Sequence, residues 1–275
     1  MEGYRLRLSV PPAWTTLVLA CWLLSGCGGQ NETIDQLVRH NDFTRQLVST
    51  PRFSHWIVAN QAVSSSDANL HVYIEGDGIP WVRNDLISAD PTPHNPLALK
   101  LMAQDRTPSL YLGRPCYFGL ATTTNCSPAM WTNNRYSEQV VTSMQETLEK
   151  YLQLHPYKHI TFIGYSGGGV LAMLLAPRIP NTEKVITLAA NLDTDAWTQF
   201  HHFSTLIGSL NPAKQPPLPA SIKQIHYSGK RDRNVPTALI HYVSSLQPNS
   251  TVRVKERYDH VCCWEKDWPY ILKDF

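Results

Sequence analysis

Hydrophobic positions along this chain follow two spacings, one typical of buried strands and the other of amphipathic helices. Short apolar runs rich in β-branched and aromatic residues predict strands over residues 55–59, 70–74, 109–113, 158–164, 185–190, 222–227 and 251–257. Apolar residues three or four positions apart predict helices over residues 96–104, 138–154, 170–175 and 237–246, with a looser helical pattern over residues 31–49.

Strands and helices alternate along this prediction. Parallel strands need crossover connections and helices supply them, so the order predicts an α/β fold with a mostly parallel central sheet and helices on both faces. Two stretches rich in turn-forming residues, 114–131 and 212–219, interrupt the alternation and predict irregular loops. We expect the second of these to lie over the carboxyl edge of the sheet.

The composition of the 275 residues supports a single packed domain. Hydrophobic residues make up 43% of the chain and charged residues only 17%, which favours a core over extensive disorder. A formal net charge of +2, with Lys and Arg scattered along the chain, lacks the basic footprint that nucleic-acid binding requires. We therefore expect one domain behind a processed leader and no nucleic-acid partner.

The N-terminus has the features of an export signal. Arg5 and Arg7 precede an apolar run over residues 16–24, which is shorter than the roughly 20 residues that a transmembrane helix needs. Small residues then lead to Cys27, and the sequence Leu-Ser-Gly-Cys over residues 24–27 resembles the lipobox of bacterial lipoproteins. In that motif the cysteine becomes the lipidated first residue of the mature protein.

This resemblance implies a lipoprotein signal peptide over residues 1–26 and a single domain over residues 27–275. Several acyl chains on Cys27 would hold the protein firmly at the membrane. A plain cleaved signal peptide is the alternative. Gly28 stands where lipoproteins of the inner membrane often carry Asp. The resemblance therefore favours the outer membrane of a bacterial cell envelope, facing the periplasm.

Four further cysteines remain for the predicted domain. In an oxidising compartment an even number of thiols suggests disulfides, and a bond between Cys116 and Cys126 would close one loop rich in Thr and Pro. Cys262 and Cys263 could pair with each other only through a strained vicinal ring, and their pairing stays open. The spacings typical of zinc ligands do not occur, so we expect no metal site.

The sequence Gly-Tyr-Ser-Gly-Gly over residues 164–168 follows a predicted strand and precedes a predicted helix. It matches the Gly-x-Ser-x-Gly pattern of a nucleophile on a sharp strand-to-helix turn, where a Cβ in place of the glycines would collide with the neighbouring strand or helix. The helix also directs its N-terminal dipole at an oxyanion formed beside the serine. We therefore expect Ser166 to be a nucleophile; a Gly-rich turn of purely structural use is the alternative.

A serine hydroxyl needs a base, and the base needs a group that orients it. His260 lies just beyond the last predicted strand, and Asp232 lies in the turn after the strand before it. From about Leu70 to Trp264 the chain resembles the α/β-hydrolase superfamily, in which the catalytic residues follow the order Ser, acid, His. The resemblance implies that Asp232 and His260 complete a triad with Ser166.

Other residues compete for these roles. Asp193 and Asp195 follow the strand at 185–190 and occupy an acid position that some relatives use. Asp259 is too close to His260 in sequence to orient its ring. Four histidines between Ser166 and His260, namely His201, His202, His226 and His241, are expected to be surface or strand residues.

The resemblance also indicates where an oxyanion would be bound. One backbone N–H comes from Gly167 and the other from the loop after the strand at 70–74. In that loop Asp77 is the expected donor, with Gly78 as the alternate. A carboxylate there would oppose a developing oxyanion unless the Asp77 side chain turns away and bonds the loop itself. A plain Asp-Gly turn is the other interpretation.

These residues together predict ester or thioester hydrolysis through an acyl-enzyme, with a small-molecule or lipid ester as substrate and no cofactor. Trp81, Trp131 and Trp197 are expected to form an apolar wall that binds the acyl group. A peptidase or amidase with the same triad is one alternative. A non-catalytic envelope lipoprotein on a hydrolase fold is another.

Overall fold

Most of the apolar runs form strands of one sheet in a computed structural model that describes residues 30–60, 69–83 and 85–274. The strands are β1 (Thr44–Ser49), β2 (Ser54–Ala59), β3 (Asn69–Ile74), β4 (Trp81–Arg83), β5 (Leu86–Ile87), β6 (Ser109–Leu112), β7 (His159–Tyr165), β8 (Thr182–Leu188), β9 (Lys223–Gly229) and β10 (Ser250–Lys255). The helices are α1 (Gln30–His40), α2 (Leu97–Met102), α3 (Glu138–Leu154), α4 (Gly167–Leu175), α5 (Thr194–Phe200), α6 (Thr237–Ser245) and α7 (Trp264–Ile271).

Eight strands form the central sheet, in the order β1-β2-β6-β3-β7-β8-β9-β10. The six strands from β6 to β10 in this order are parallel, whereas β1 and β2 run antiparallel at one edge. The connections between the parallel strands pass through helices, as the alternation of apolar patterns requires. The predicted α/β fold with a mostly parallel sheet is confirmed.

The core is densest around β7, which has β3 on one side and β8 on the other. Ile160, Phe162 and Ile163 of β7 are buried, and Val170 and Leu171 of α4 are buried where that helix packs on β7 and β8. Burying each such side chain contributes about 1.5–3 kcal/mol. The strand that leads into the Gly-x-Ser-x-Gly turn is therefore held by the centre of the sheet.

The prediction of a helix over residues 31–49 is wrong in its second half. The helix ends at His40, Asp42 adopts a positive φ of 54°, and residues 44–49 form β1. Every residue from Thr44 to Ser49 has a partner on β2 in an antiparallel register. These backbone bonds to the next strand outweigh a loosely helical spacing, because helix propensity is weaker than strand pairing.

Two further elements have no counterpart in the sequence prediction. The short strands β4 and β5 pair with each other as a separate hairpin, and α5 follows the carboxyl end of β8. The two stretches predicted to be irregular contain one short 3₁₀ helix each, Pro128–Trp131 and Pro212–Lys214. The hairpin and α5 both border the cavity that holds Ser166.

The predicted signal peptide and Cys27 lie outside the described residues. Within the described ranges, no helix combines the length and the apolar character that crossing a membrane requires.

Candidate active site

Ser166 occupies the turn between β7 and α4, with backbone angles of φ 50° and ψ −123°. A non-glycine residue rarely adopts such a φ, and holding it there costs on the order of 1–3 kcal/mol. The backbone N–H of Ser166 donates to the carbonyl of Leu188 on β8 over 2.9 Å, which fixes the turn to the sheet. The hydroxyl of Ser166 is thereby held at the carboxyl end of the central strand.

Two glycines permit the close approach of strand and helix at this turn. A Cβ on Gly164 would lie 2.3 Å from the carbonyl oxygen of Gly168, and a Cβ on Gly168 would lie 2.2 Å from that of Ile74 on β3. Neither backbone oxygen can move without displacing its own element. Because these glycines belong to the turn itself, α4 begins at Gly167, three residues before its predicted start.

His260 lies between Ser166 and Asp232. Its Nε2 atom is 3.1 Å from Ser166 Oγ, and its Nδ1 atom is 2.9 Å from Asp232 Oδ2. A carboxylate at Nδ1 keeps the ring proton on that nitrogen and leaves Nε2 able to accept a proton from the serine. The three residues nominated from the sequence therefore lie in one hydrogen-bonded chain.

Asp232 is oriented by its own turn. Its second oxygen, Oδ1, accepts hydrogen bonds from the backbone N–H groups of Asn234 and Val235, each over 2.8 Å. The competing carboxylates are engaged elsewhere. Asp193 caps α5 by accepting backbone N–H bonds from its first turn, and Asp195 pairs with a lysine on the loop that follows.

The backbone of His260 is also held on two sides. Its carbonyl oxygen accepts hydrogen bonds from the hydroxyl of Tyr165 over 3.2 Å and from Nε1 of Trp264 over 3.0 Å. Asp259 accepts bonds from the backbone N–H groups of the two residues that follow His260, so it shapes the turn and does not orient the ring. Residues on β7 and α7 thus position the histidine.

The loop after β3 lies against the turn that holds Ser166. A Cβ on Gly76 would be 3.4 Å from the Cβ of Ser166, and Gly78 adopts a φ of 65°. The backbone N–H groups of Asp77 and Gly167 donate no hydrogen bond to any described residue. The loop and the start of α4 therefore offer donors beside the serine, as expected for Gly167 and Asp77 with Gly78 as the alternate. Their role in binding an oxyanion stays a prediction.

The carboxylate of Asp77 is paired with two buried guanidinium groups. Oδ1 accepts a bond from Arg114 over 2.6 Å, and Oδ2 accepts bonds from Arg135 over 2.9 Å and from the hydroxyl of Tyr136 over 2.6 Å. Burial opposes ionisation, but the charges and hydrogen bonds of Arg135 and Arg114 outweigh it and lower the pKa of Asp77 to about 2. The two guanidinium groups thus compensate the charge of the Asp77 carboxylate.

The sequence left two possibilities for Asp77, a charge that opposes catalysis or a side chain bonded to its own loop. Neither describes the structure. The side chain lies under Gly167, where an added Cβ would be 2.0 Å from its Oδ1, and its partners come from the loop before α3. Because Arg114 and Arg135 compensate its charge, the Asp77 carboxylate no longer argues against an oxyanion at this place.

Glu75 is a second buried carboxyl group beside the loop. Its Oε1 accepts a bond from the N–H of Gly76, and its Oε2 accepts one from the N–H of Ala98 in the first turn of α2. Burial raises the pKa of Glu75 to about 7, against the opposing effect of these backbone bonds. Glu75 therefore ties the loop after β3 to α2.

A cavity of about 980 Å³ opens over the hydroxyl of Ser166. Trp81 of the β4–β5 hairpin and Trp197 of α5 line it, as expected for an acyl-binding wall. Trp131 does not line it. It is buried, and its Nε1 donates to the carbonyl of Ser88 over 3.1 Å, so Trp131 packs the domain instead.

The four cysteines within the described residues are paired in the structure. Cys116 and Cys126 form a disulfide whose Cα atoms are 5.5 Å apart, the pairing favoured from the sequence. Cys262 and Cys263, whose pairing the sequence left open, are bonded to each other. Among the described residues, no group of His, Cys, Asp and Glu side chains is arranged to hold a metal ion.

A second Ser–His pair lies far from the cavity. His55 Nε2 is 2.6 Å from Ser143 Oγ, and its Nδ1 is 2.9 Å from the backbone carbonyl of Gly113. Both side chains are buried, and desolvation lowers the pKa of His55 to about 4. No carboxylate is bonded to this imidazole, and it is not open to substrate, so the pair stabilises the packing of β2 against α3.

The sequence did not indicate several residues that shape the site. Arg114 and Arg135 lie 37 and 58 positions from Asp77, too far for any local pattern to link them. The apolar residues around Arg114 in the sequence indicate that its side chain becomes buried. A buried arginine needs an anionic partner. His201 and His202, expected on the surface or in strands, line the cavity.

No protein-family model matches the chain, and no curated protein matches it. Solved structures do. An esterase from Pyrococcus furiosus is 13% identical, with a TM-score of 0.56, over 84% of this chain and 90% of that one. A membrane phospholipase A, described as a bacterial virulence factor, is 14% identical, with a TM-score of 0.56, over 94% of this chain and 95% of that one. An α/β-fold family hydrolase from Bacillus anthracis is 12% identical, with a TM-score of 0.50, over 85% of this chain and 99% of that one. Together with the sheet order and the strand-to-helix turn at Ser166, these similarities show that the chain has the α/β-hydrolase fold.

Proposed function

We propose that this protein is a serine hydrolase that cleaves carboxylic esters or thioesters of small molecules or lipids. The observation that carries the proposal is the chain of hydrogen bonds from Ser166 through His260 to Asp232, 3.1 and 2.9 Å long, at the floor of an open cavity. The esterase and phospholipase among the similar structures support this class of substrate.

The proposed reaction begins when His260 Nε2 takes the proton of Ser166 as its Oγ attacks the substrate carbonyl carbon. Asp232 holds the imidazolium that forms. His260 then returns the proton to the departing alkoxide or thiolate, which leaves an acyl group on Ser166. Water, deprotonated by the same histidine, attacks the acyl-enzyme and releases the acid. No cofactor takes part in this sequence of steps.

The electrostatic surroundings suit the negative charge that develops on the carbonyl oxygen. In the proposal the backbone N–H groups of Gly167 and Asp77 donate to this oxygen, with Gly78 as the alternate donor, and each donor of this kind contributes about 10²–10³ in rate. Beneath them, the guanidinium groups of Arg114 and Arg135 pair with Asp77, so its carboxylate does not repel this oxygen. The cluster therefore permits the oxyanion.

A fluorophosphonate probe tests the nucleophile. We expect the folded protein to be labelled and the Ser166→Ala variant to resist labelling. Ser143→Ala is the matched control, since Ser143 is also hydrogen-bonded to a histidine but is buried away from the cavity. Absence of labelling in the folded protein, or labelling that survives Ser166→Ala, would contradict the proposal.

A substrate panel separates the proposed activity from its alternatives. We expect p-nitrophenyl esters to be hydrolysed in a Ser166-dependent manner and peptide anilides to be cleaved far more slowly. Faster cleavage of the anilides would indicate a peptidase or amidase with the same triad. Absence of both labelling and turnover in the folded protein would favour a non-catalytic envelope protein.

We further propose that Cys27 carries a lipid anchor and that the protein resides in a bacterial cell envelope, at the outer membrane and facing the periplasm. The lipobox-like sequence at residues 24–27 supports this. Metabolic labelling with an alkyne fatty acid tests it. Incorporation should be lost in Cys27→Ser and retained in Cys21→Ser, and equal incorporation in both variants would exclude Cys27 as the acceptor.

A further inference from the structure

Exposed hydrophobic side chains are concentrated around the mouth of the cavity. Of the fourteen large hydrophobic side chains that are exposed in the described part of the chain, eight lie in three short segments. Four lie in residues 81–87, three lie in residues 200–207, and the eighth is Val261. We refer to these eight side chains as the apolar rim.

The three segments of the apolar rim border one opening. Trp81, Phe203 and Val261, one from each segment, all line the cavity that holds Ser166. Other rim residues project beyond the cavity wall, with Val82 exposed at 60% and Ile207 at 88%. Clusters of exposed apolar side chains of this kind are typical of interaction sites and not of ordinary soluble surface.

Two exposed arginines lie beside the rim. Arg231 and Arg233 are exposed on the turn that carries Asp232 and Asn234, and Asn234 also lines the cavity. Neither arginine forms an ion pair with a described residue, whereas Arg83 on the rim hairpin faces Asp85 at 3.6 Å. An apolar surface flanked by unpaired cations matches the interface of an anionic lipid bilayer, where acyl chains lie beneath negative headgroups.

We propose that the apolar rim docks on an anionic lipid surface, so that the substrate is an acyl ester of a membrane lipid that enters the cavity from the bilayer. A protein bound to the same residues would block the opening over Ser166. A bilayer would instead supply acyl chains that can enter the opening. The choice of substrate rests on the proposed hydrolase function. The docking itself does not depend on catalysis and can be tested without it.

The docking test compares two labelled positions in the full chain. Cys21 and Cys27 are replaced by Ser and Ser166 by Ala, and a bimane fluorophore is attached through Ile207→Cys or, as the control, Leu154→Cys. Leu154 is exposed at 75%, and it ends α3 just before β7 begins, which places it at the sheet edge opposite Ser166. Both sites are therefore exposed aliphatic positions, on opposite sides of the fold.

The labelled chains are mixed with vesicles of phosphatidylcholine and phosphatidylglycerol in equal parts, with acyl chains brominated to quench bimane. We expect quenching at position 207 to exceed quenching at position 154 several-fold. Replacing both Arg231 and Arg233 by Gln, or omitting phosphatidylglycerol, should reduce the signal at 207. Equal quenching at the two positions, stronger quenching at 154, or none at either would overturn the proposal.

Two other occupants of the rim would give different results. A second copy of the chain on the rim would appear as a dimer in sedimentation velocity without vesicles, and Ile207→Asp would dissociate it. A protein partner would leave position 207 unquenched by lipid. Either result would refute docking on a bilayer.

The substrate is tested separately with active protein. We expect Val82→Asp combined with Ile207→Asp to lower the ratio of vesicle-phospholipid hydrolysis to soluble-ester hydrolysis at least several-fold, and Leu154→Asp to leave it unchanged. An unchanged ratio in the rim variant would overturn the proposed lipid substrate. If neither substrate is hydrolysed by the unaltered protein, the proposed hydrolase function fails, and the quenching result still decides the docking.

Discussion

Replacing Asp77 by Asn would remove the negative charge that lies between Arg114 and Arg135 while keeping the size of the side chain. Removing one partner of a buried ion pair costs about 3–5 kcal/mol, because the other charge stays buried without compensation. The Asp77 side chain is 14% exposed and that of Arg114 is 1% exposed, so solvent replaces little of the lost interaction. We expect the free energy of unfolding at pH 7 to fall by about 3 kcal/mol, and the Tm to fall by roughly 6–12 °C.

The pKa of Asp77 gives an independent magnitude and a pH dependence. A pKa of about 2 in place of the usual 3.8 corresponds, at 1.36 kcal/mol per pH unit, to about 2 kcal/mol. Because the folded-state pKa is depressed, this stability is fully present above pH 3.8 and is lost as the pH falls towards 2. At pH 3 about half of it should remain. The difference between the two proteins should therefore shrink in acid.

Urea unfolding at pH 7 and pH 3 measures both effects. Asp85→Asn is the matched control, because Asp85 is exposed and faces Arg83 at 3.6 Å, and such surface pairs contribute about 0–1 kcal/mol. Activity gives a second readout, because the backbone N–H of residue 77 belongs to the loop beside Ser166. We expect kcat/KM to fall for Asp77→Asn and not for Asp85→Asn. Equal midpoints for the two variants, or a difference that is the same at both pH values, would refute the electrostatic account of the cluster.

Three other predictions concern the turn, the disulfide and a buried histidine. Gly164→Ala would place a Cβ 2.3 Å from the carbonyl oxygen of Gly168, so we expect at least about 3 kcal/mol less stability in urea and loss of ester hydrolysis; normal activity would show that the turn can relax. Replacing Cys116 and Cys126 by Ala should cost about 2.5–3 kcal/mol, and it should lower kcat because Arg114 lies beside this loop. An unaltered midpoint in denaturant would contradict that prediction. Burial lowers the pKa of His226 from 6.5 to about 4, so its contribution to stability is present above pH 6.5 and is lost as the pH falls towards 4, by up to about 3 kcal/mol. His226→Leu should remove this part of the pH profile, and parallel profiles for the two proteins would exclude His226 as its source.

The parts of the fold that the sequence predicted are those with strong local patterns. The apolar run before Gly164, the glycines of the turn and the amphipathic repeat of residues 138–154 each specify their element within a few residues. The helix at 138–154 has its predicted bounds. The position of each site residue at the end of a strand then follows from the order of the elements, since parallel strands present their carboxyl ends at one edge.

The parts that the sequence missed depend on contacts between different elements. Residues 44–49 become a strand only because β2 supplies partners, and the short hairpin of β4 and β5 carries no clear alternation. The compensation of Asp77 requires two arginines from one loop that is distant in sequence, and one of them lies two residues before Cys116. No spacing rule indicates which charges will meet when loops fold over a sheet edge.

The three proposed catalytic residues follow strands that differ in how easily they unfold locally. Ser166 follows β7 in the interior of the sheet, and Asp232 follows β9, which has a strand on each side. His260 follows β10, the outermost strand, and its loop is secured by contacts from Tyr165 and Trp264. Edge strands and terminal helices open at lower free energy than central strands. In mild denaturant, activity should therefore be lost first because His260 moves away from Ser166 while most of the sheet is still intact. This loss should reverse fully on dilution.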